Sequence, residues 1–216
     1  MQTNGLMGKF YVVCEWIMKL AFVNLLWLGF SLVGLIVLGI MPATVALFTI
    51  VRKWLMKETD IPIFRTFFQT FKKEFSNANK IGLLMAVIGF FLYFDFTYLK
   101  MIGGSVQFAL SIPLCIITIL YIITFLYLFP VYVHFEIKMF QYIKNSFYIG
   151  ILNLHLTALI IAGIVLLSFF FRFLPGILPF YSMILVAIIV MWGAGQAFRR
   201  IEAKQKKHNV QREIIH

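Results

Sequence analysis

Long runs without a charged residue alternate with short basic stretches along this chain. Residues 20–41 carry no Asp, Glu, Lys or Arg, and neither do 81–94, 101–135, 145–171 and 173–198. A helix needs about 20 apolar residues to cross roughly 30 Å of hydrocarbon. The runs therefore predict five transmembrane helices, at about 20–41, 81–99, 105–129, 150–171 and 177–198. The expected fold class is all-α: a polytopic membrane helical bundle with amphipathic cytoplasmic helices.

The stretches between the spans are patterned too. Residues 62–75 read PIFRTFFQTFKKEF. Phe64, Phe67, Phe68, Phe71 and Phe75 recur at three and four, and Arg65, Thr66, Gln69, Lys72 and Lys73 fill the other face. That spacing predicts an amphipathic helix with Pro62 just inside its start. Aromatic side chains on one face and bases on the other suit a helix lying at the inner headgroup layer. Residues 43–57 form a weaker case, with Arg52, Lys53 and Lys57 near the end, where cations suit the helix dipole. In 131–148 a polar stripe of His134, Lys138, Gln141 and Asn145 repeats the plan. Arg52, Lys53, Arg65, Lys72 and Lys73 are the candidate surface for lipid or a protein partner.

Composition agrees with the pattern. Hydrophobic residues make up 62% of the 216 and charged residues 12%, with 8 acids against 19 bases and a net charge of +11. A water-facing domain of this size carries nearer a quarter charged residues. An ordinary cytosolic enzyme, a disulfide-rich secreted domain and a disordered chain are excluded. Because the bases sit between apolar runs, they point to membrane topology and anionic headgroups, not to nucleic acid. With five spans, fifteen of the 19 bases fall on one side. By the positive-inside rule the C-terminus is then cytoplasmic and the N-terminus outside. The first nineteen residues could instead lie in the interface as a helix. Residues 207–216 read as a basic cytoplasmic tail after a single membrane domain over 1–206.

Few side chains offer chemistry. Asp95 stands near the outer end of the second predicted span, where a carboxylate is costly. It is a candidate proton, cation or substrate site, or one half of an ion pair near the outer interface with Lys100 and Arg172 nearby. Asn153 and His155 stand at the inner start of the fourth span, and no second histidine lies within helical reach. Packing and hydrogen bonding are the expected role of both, and Asn24 is expected to bond to a neighbouring helix. Gly193 and Ala197 form a small-xxx-small pair that allows close helix approach. Cys14 and Cys115 have no CxxC partner, so neither a disulfide nor a metal site is expected. No P-loop, dinucleotide fingerprint, HExxH or nucleophile elbow is present, so no catalytic residue and no cofactor is assigned.

Residues 15–75 carry a resemblance. Asn24-Leu25-Leu26-Trp27, Pro42-Ala43-Thr44 and Arg52-Lys53 resemble the YesL family of small bacterial membrane proteins, and the likeness extends over about 5–204. The family has no assigned catalytic residues, so the resemblance implies a fold and a setting. Its members accompany carbohydrate-utilisation systems that include ATP-driven sugar importers. The resemblance implies an accessory or regulatory component of carbohydrate uptake, with a carbohydrate ABC importer as its possible partner. The chain has neither a nucleotide-binding motif nor an EAA-type loop, so it is not an obvious permease. The competing readings are a small autonomous transporter or channel, acting as a homo-oligomer, and a membrane-organising or lipid-binding protein.

Overall fold

The computed structural model of the protein describes residues 6–102 and 104–215. The side chains of the expected basic tail, Lys207 and Arg212 among them, lie outside what the structure describes. Helices α1 (Leu6–Val33), α2 (Val37–Leu55), α3 (Ile63–Ile102), α4 (Gly104–His134), α5 (Met139–Leu152), α6 (Leu154–Phe173) and α7 (Leu178–Ile215) follow one another, with a 3-10 turn at Pro175–Ile177 before α7. No strand occurs among the described residues. All except α5 include a stretch long and apolar enough to cross a membrane, which makes six among the described residues where the charge-free runs suggest five.

The extra one comes from the first run. Residues 20–41 do not form one span: α1 ends at Val33 and α2 begins at Val37. Leu35 and Ile36 take φ of 57° and 62°, a left-handed conformation that bulky side chains rarely adopt. The turn is built on close backbone approach. A Cβ on Gly34 would collide with the Gly39 backbone, and one on Gly39 with the carbonyl of Ser31. Hydropathy misses this break because every residue in it is uncharged and most are apolar.

The prolines near the predicted span ends do not end helices either. Pro42 is inside α2 and Pro130 inside α4. Residues 62–75 are not a separate helix but the first turns of α3. Its 40 residues rise about 60 Å, roughly twice the hydrocarbon thickness. The span expected at 150–171 is divided at Asn153, where α5 gives way to α6.

The chain forms two compact units. One takes in the chain up to Phe75 and the stretch Ala162–Ile189, and the other takes in Ser76–Ile161 and the chain from Val190 onward. In the first unit α1 and α2 make an antiparallel hairpin. Trp16 meets Trp54 edge-on at 5.3 Å, and the Trp27 indole donates to Thr44 Oγ1 at 3.0 Å nearer the turn. Lys19 therefore shares an end of the hairpin with Arg52 and Lys53. The aromatic face of α3 is partly spent inside this unit. Phe30 of α1 sits among the rings of Phe64, Phe67, Phe68 and Phe71, and Phe67 is fully buried. That face is therefore a packing face, and Phe64 and Phe68 alone among those four stay exposed.

In the second unit Ile81, Met85 and Leu128 are packed by Tyr121, Tyr132, Met139, Tyr142 and Ile143. Two glycines admit close helix contact here. A Cβ on Gly150 would strike Ile123, and one on Gly193 would come to 2.5 Å from Ile160. The small-xxx-small pair on α7 thus serves a contact within the chain.

Candidate functional site

Membrane-spanning helices must satisfy their polar groups without water. Where each intramembrane polar side chain spends its hydrogen bonds therefore separates internal scaffolding from groups available to a ligand or partner.

Asn24 is scaffolding. It is fully buried, and its Nδ2 donates to Pro179 O at 2.8 Å. Its Oδ1 accepts from the backbone N–H of Met183 and of Ile184, both at 3.0 Å. An uninterrupted α-helix would pair Met183 N–H with Pro179 O. Asn24 holds both ends of that pair, so it ties α1 into the backbone of α7 within the first unit. Trp27, three residues on, lies on the same side of α1 and reaches Thr44, which in turn donates to Ile40 O at 2.7 Å. Asn24-Leu25-Leu26-Trp27 and Pro42-Ala43-Thr44 are thereby joined by hydrogen bonds around one hairpin.

The second unit has its own network, at the α5–α6 break. Asn153 Nδ2 donates to Ile149 O at 3.0 Å. Thr157 Oγ1 donates to Gly150 O at 3.0 Å and stands 3.1 Å from Tyr127 Oη. Tyr127 is fully buried, and Thr157 and Asn153 nearly so. The carbonyls freed by the break are partnered from inside. His155 is exposed and contacts the Arg200 guanidinium, so it is hydrogen-bonded but not packed. His134 stacks on Phe198 and stands 3.9 Å from Glu202. Sequence reasoning did not anticipate these α7 partners, because Arg200 and Glu202 lie beyond the span expected at 177–198.

Asp95 behaves differently. It is exposed on α3, and no hydrogen bond or ion pair reaches it among the described residues. Phe91 and Tyr98, at helical spacing on the same face, are 62% and 60% exposed. Arg172 is likewise exposed and without a partner among the described residues. The ion pair suggested for Asp95 is not formed within the chain's described residues.

Of the candidate basic surface, Arg65, Lys72 and Lys73 are exposed, while Arg52 and Lys53 are half-buried. Lys53 faces Glu58 at 3.8 Å and Lys73 faces Glu74 at 3.8 Å. Arg52 has no acid, and its Nε is buried without an acceptor among the described residues.

Two cavities lie among the described residues. One of about 260 Å³ in the second unit is walled by Phe135, Tyr148, Ile149 and Phe198, with Asn145 and Glu202 as its polar lining. A recess of about 580 Å³ in the first unit is lined by apolar residues of α6 and α7. Neither supplies the convergent polar groups that a sugar needs.

Six apolar helices, self-satisfied polar networks and basic extensions define a multi-pass membrane protein. The chain matches the family described as "Protein of unknown function, DUF624" over residues 20–96. It is 40% identical over 190 residues to "Uncharacterized protein YteU" of Bacillus subtilis (strain 168), covering 87% of this chain and 84% of that protein. To "Uncharacterized protein YesL" of the same organism it is 36% identical over 194 residues, covering 90% and 91%. For "Uncharacterized protein YesV" the identity is 34% over 194 residues, covering 90% and 93%. The chain belongs to this DUF624 family, which includes YesL. No solved structure matches it.

Proposed function

We propose that the protein is an accessory or regulatory subunit of a bacterial cytoplasmic-membrane assembly for carbohydrate uptake, docking to a partner in the membrane through the Asp95 face of α3. The observation that carries this reading is the contrast between Asp95 and the four polar side chains that knit the helices together. Asn24, Thr44, Thr157 and Asn153 all have partners inside the chain. Asp95 is exposed and has none among the described residues. A carboxylate in a membrane helix is costly, which favours pairing with a cation or a polar group on a neighbour. The exposed rings of Phe91 and Tyr98 give the neighbour an aromatic face to pack on. The carbohydrate setting comes from the family resemblance, with an ABC importer as the proposed partner; the role is assembly and not catalysis.

The basic segment 52–80 and the end of α7 are proposed to face the cytoplasm. The N-terminal segment is proposed to lie on that same side, a reading supported by Trp16 standing against Trp54 in the hairpin.

The test is affinity purification from native membranes of cells grown on an oligosaccharide, with the wild type and Asp95→Asn side by side. An importer permease or ATPase recovered with the wild type and lost with the variant supports the reading. If Asp95→Asn abolishes uptake while no partner co-purifies with either protein, the autonomous transporter replaces it.

A further inference from the structure

We infer that the cavity between α5 and the end of α7 binds a small organic cation, a quaternary ammonium compound, held by three aromatic rings and the Glu202 carboxylate. Every residue of this site belongs to the second unit, and none is on α3, so the site is separate from the Asp95 face.

The rings make the walls. Phe135 follows directly on α4, Tyr148 is on α5 and Phe198 on α7, and all three line the same space of about 260 Å³. Phe135 and Phe198 have centroids 5.3 Å apart and planes inclined at 70°, so they form a corner and not a closed stack. Aromatic faces carry partial negative charge, and rings set at an angle around one space are how proteins hold quaternary ammonium groups. The volume lies below that of pockets for drug-sized ligands, which limits the occupant to a compact molecule.

The polar lining is Glu202 and Asn145, with no base. Among the described residues Glu202 makes no hydrogen bond, and its one ion-pair contact is His134 Nε2 at 3.9 Å. The neighbouring bases of α7 are engaged elsewhere: Arg199 donates to Gly195 O at 3.4 Å, and Arg200 contacts His155. Asn145 is half-buried and its amide has no partner among the described residues. An anion here would meet the carboxylate, and a wholly apolar ligand would leave the amide facing it unpaired. A quaternary ammonium group suits both the rings and Glu202, and a hydroxyl on the ligand gives Asn145 a partner. Arg199, Arg200 and Glu202 end the apolar run of α7, which puts the cavity at the membrane surface, and Tyr148 and Glu202 are exposed at its rim.

The experiment is isothermal titration calorimetry of the full chain in non-ionic detergent. The probes are choline and 3,3-dimethylbutanol, its uncharged isostere, with sodium chloride matched throughout. Choline is expected to bind, and the isostere about tenfold more weakly. Glu202→Gln should weaken choline about threefold, as for an exposed ion pair. Tyr148→Leu, at a ring 51% exposed, should weaken it about threefold with little effect on the isostere. Lys144 Nζ stands 5.9 Å over the Tyr148 ring without lining the cavity, so Lys144→Gln should tighten choline. No heat from choline, equal affinity for choline and its isostere, or wild-type affinity in both Glu202→Gln and Tyr148→Leu overturns the site. Weaker binding in Lys144→Gln with tighter binding in Glu202→Gln overturns the cation as its ligand. Should Glu202→Gln fail to fold, Tyr148→Leu decides alone.

Discussion

The two units treat buried polar groups differently. In the second, the α5–α6 break is closed from within: Asn153, Thr157 and Tyr127 satisfy one another and the carbonyls around them. The first ties its helices together equally firmly through Asn24, yet Ser31 Oγ, Arg52 Nε and Trp54 Nε1 are all buried there without an acceptor or donor among the described residues. The second unit's unmatched group, Asp95, is on its outside instead. The difference separates a scaffold that is complete in itself from surfaces that need something else. The first unit keeps its unmatched polar atoms inside. The second asks for a partner along α3.

Substitutions can break this comparison. The largest effect is expected at Gly150, where any Cβ strikes Ile123 and crowds Tyr127. Gly150→Ala should destabilise the second unit by about 2–3 kcal/mol through overpacking, read as a lower thermal midpoint in detergent. Gly193→Ala should follow, with its Cβ 2.5 Å from Ile160, whereas Gly195→Ala has open space and should be silent.

Next comes Asn24→Leu, which removes three hydrogen bonds to one turn of α7. A cost of about 1–2 kcal/mol is expected, the scale of interhelical hydrogen bonding in membranes. The loss should appear as faster hydrogen exchange at the start of α7. Thr157→Val leaves the buried Tyr127 hydroxyl without its partner and should cost about 1 kcal/mol in the same thermal assay. Trp27→Phe deletes a single bond to Thr44 and should give the smallest shift, below about 1 kcal/mol. A larger penalty for Trp27→Phe than for Thr157→Val would reverse the ranking of the two networks.

Much of the membrane architecture was legible from charge-free runs, because a bilayer penalises charge irrespective of the packing around it. The hairpin at 34–36 was not, since its break depends on backbone conformation at uncharged residues. Asn24 was legible as a hydrogen-bond donor and acceptor, but its destination in α7 was not, being about 155 residues away. Asn153 was read as a residue inside a span, whereas it marks the point at which the helix stops. Asp95 stood out by type alone. What the sequence could not supply was its isolation, which is a statement about every other side chain.

That isolation is tested most directly by a photo-crosslinking residue placed at Tyr98, on the Asp95 face, in native membranes, with Phe169 on α6, 59% exposed, as control. The account predicts one defined adduct, identified as an importer component, from Tyr98, its loss when Asp95→Asn is added, and none from Phe169. Lipid adducts alone from both positions, unchanged by Asp95→Asn, would contradict it.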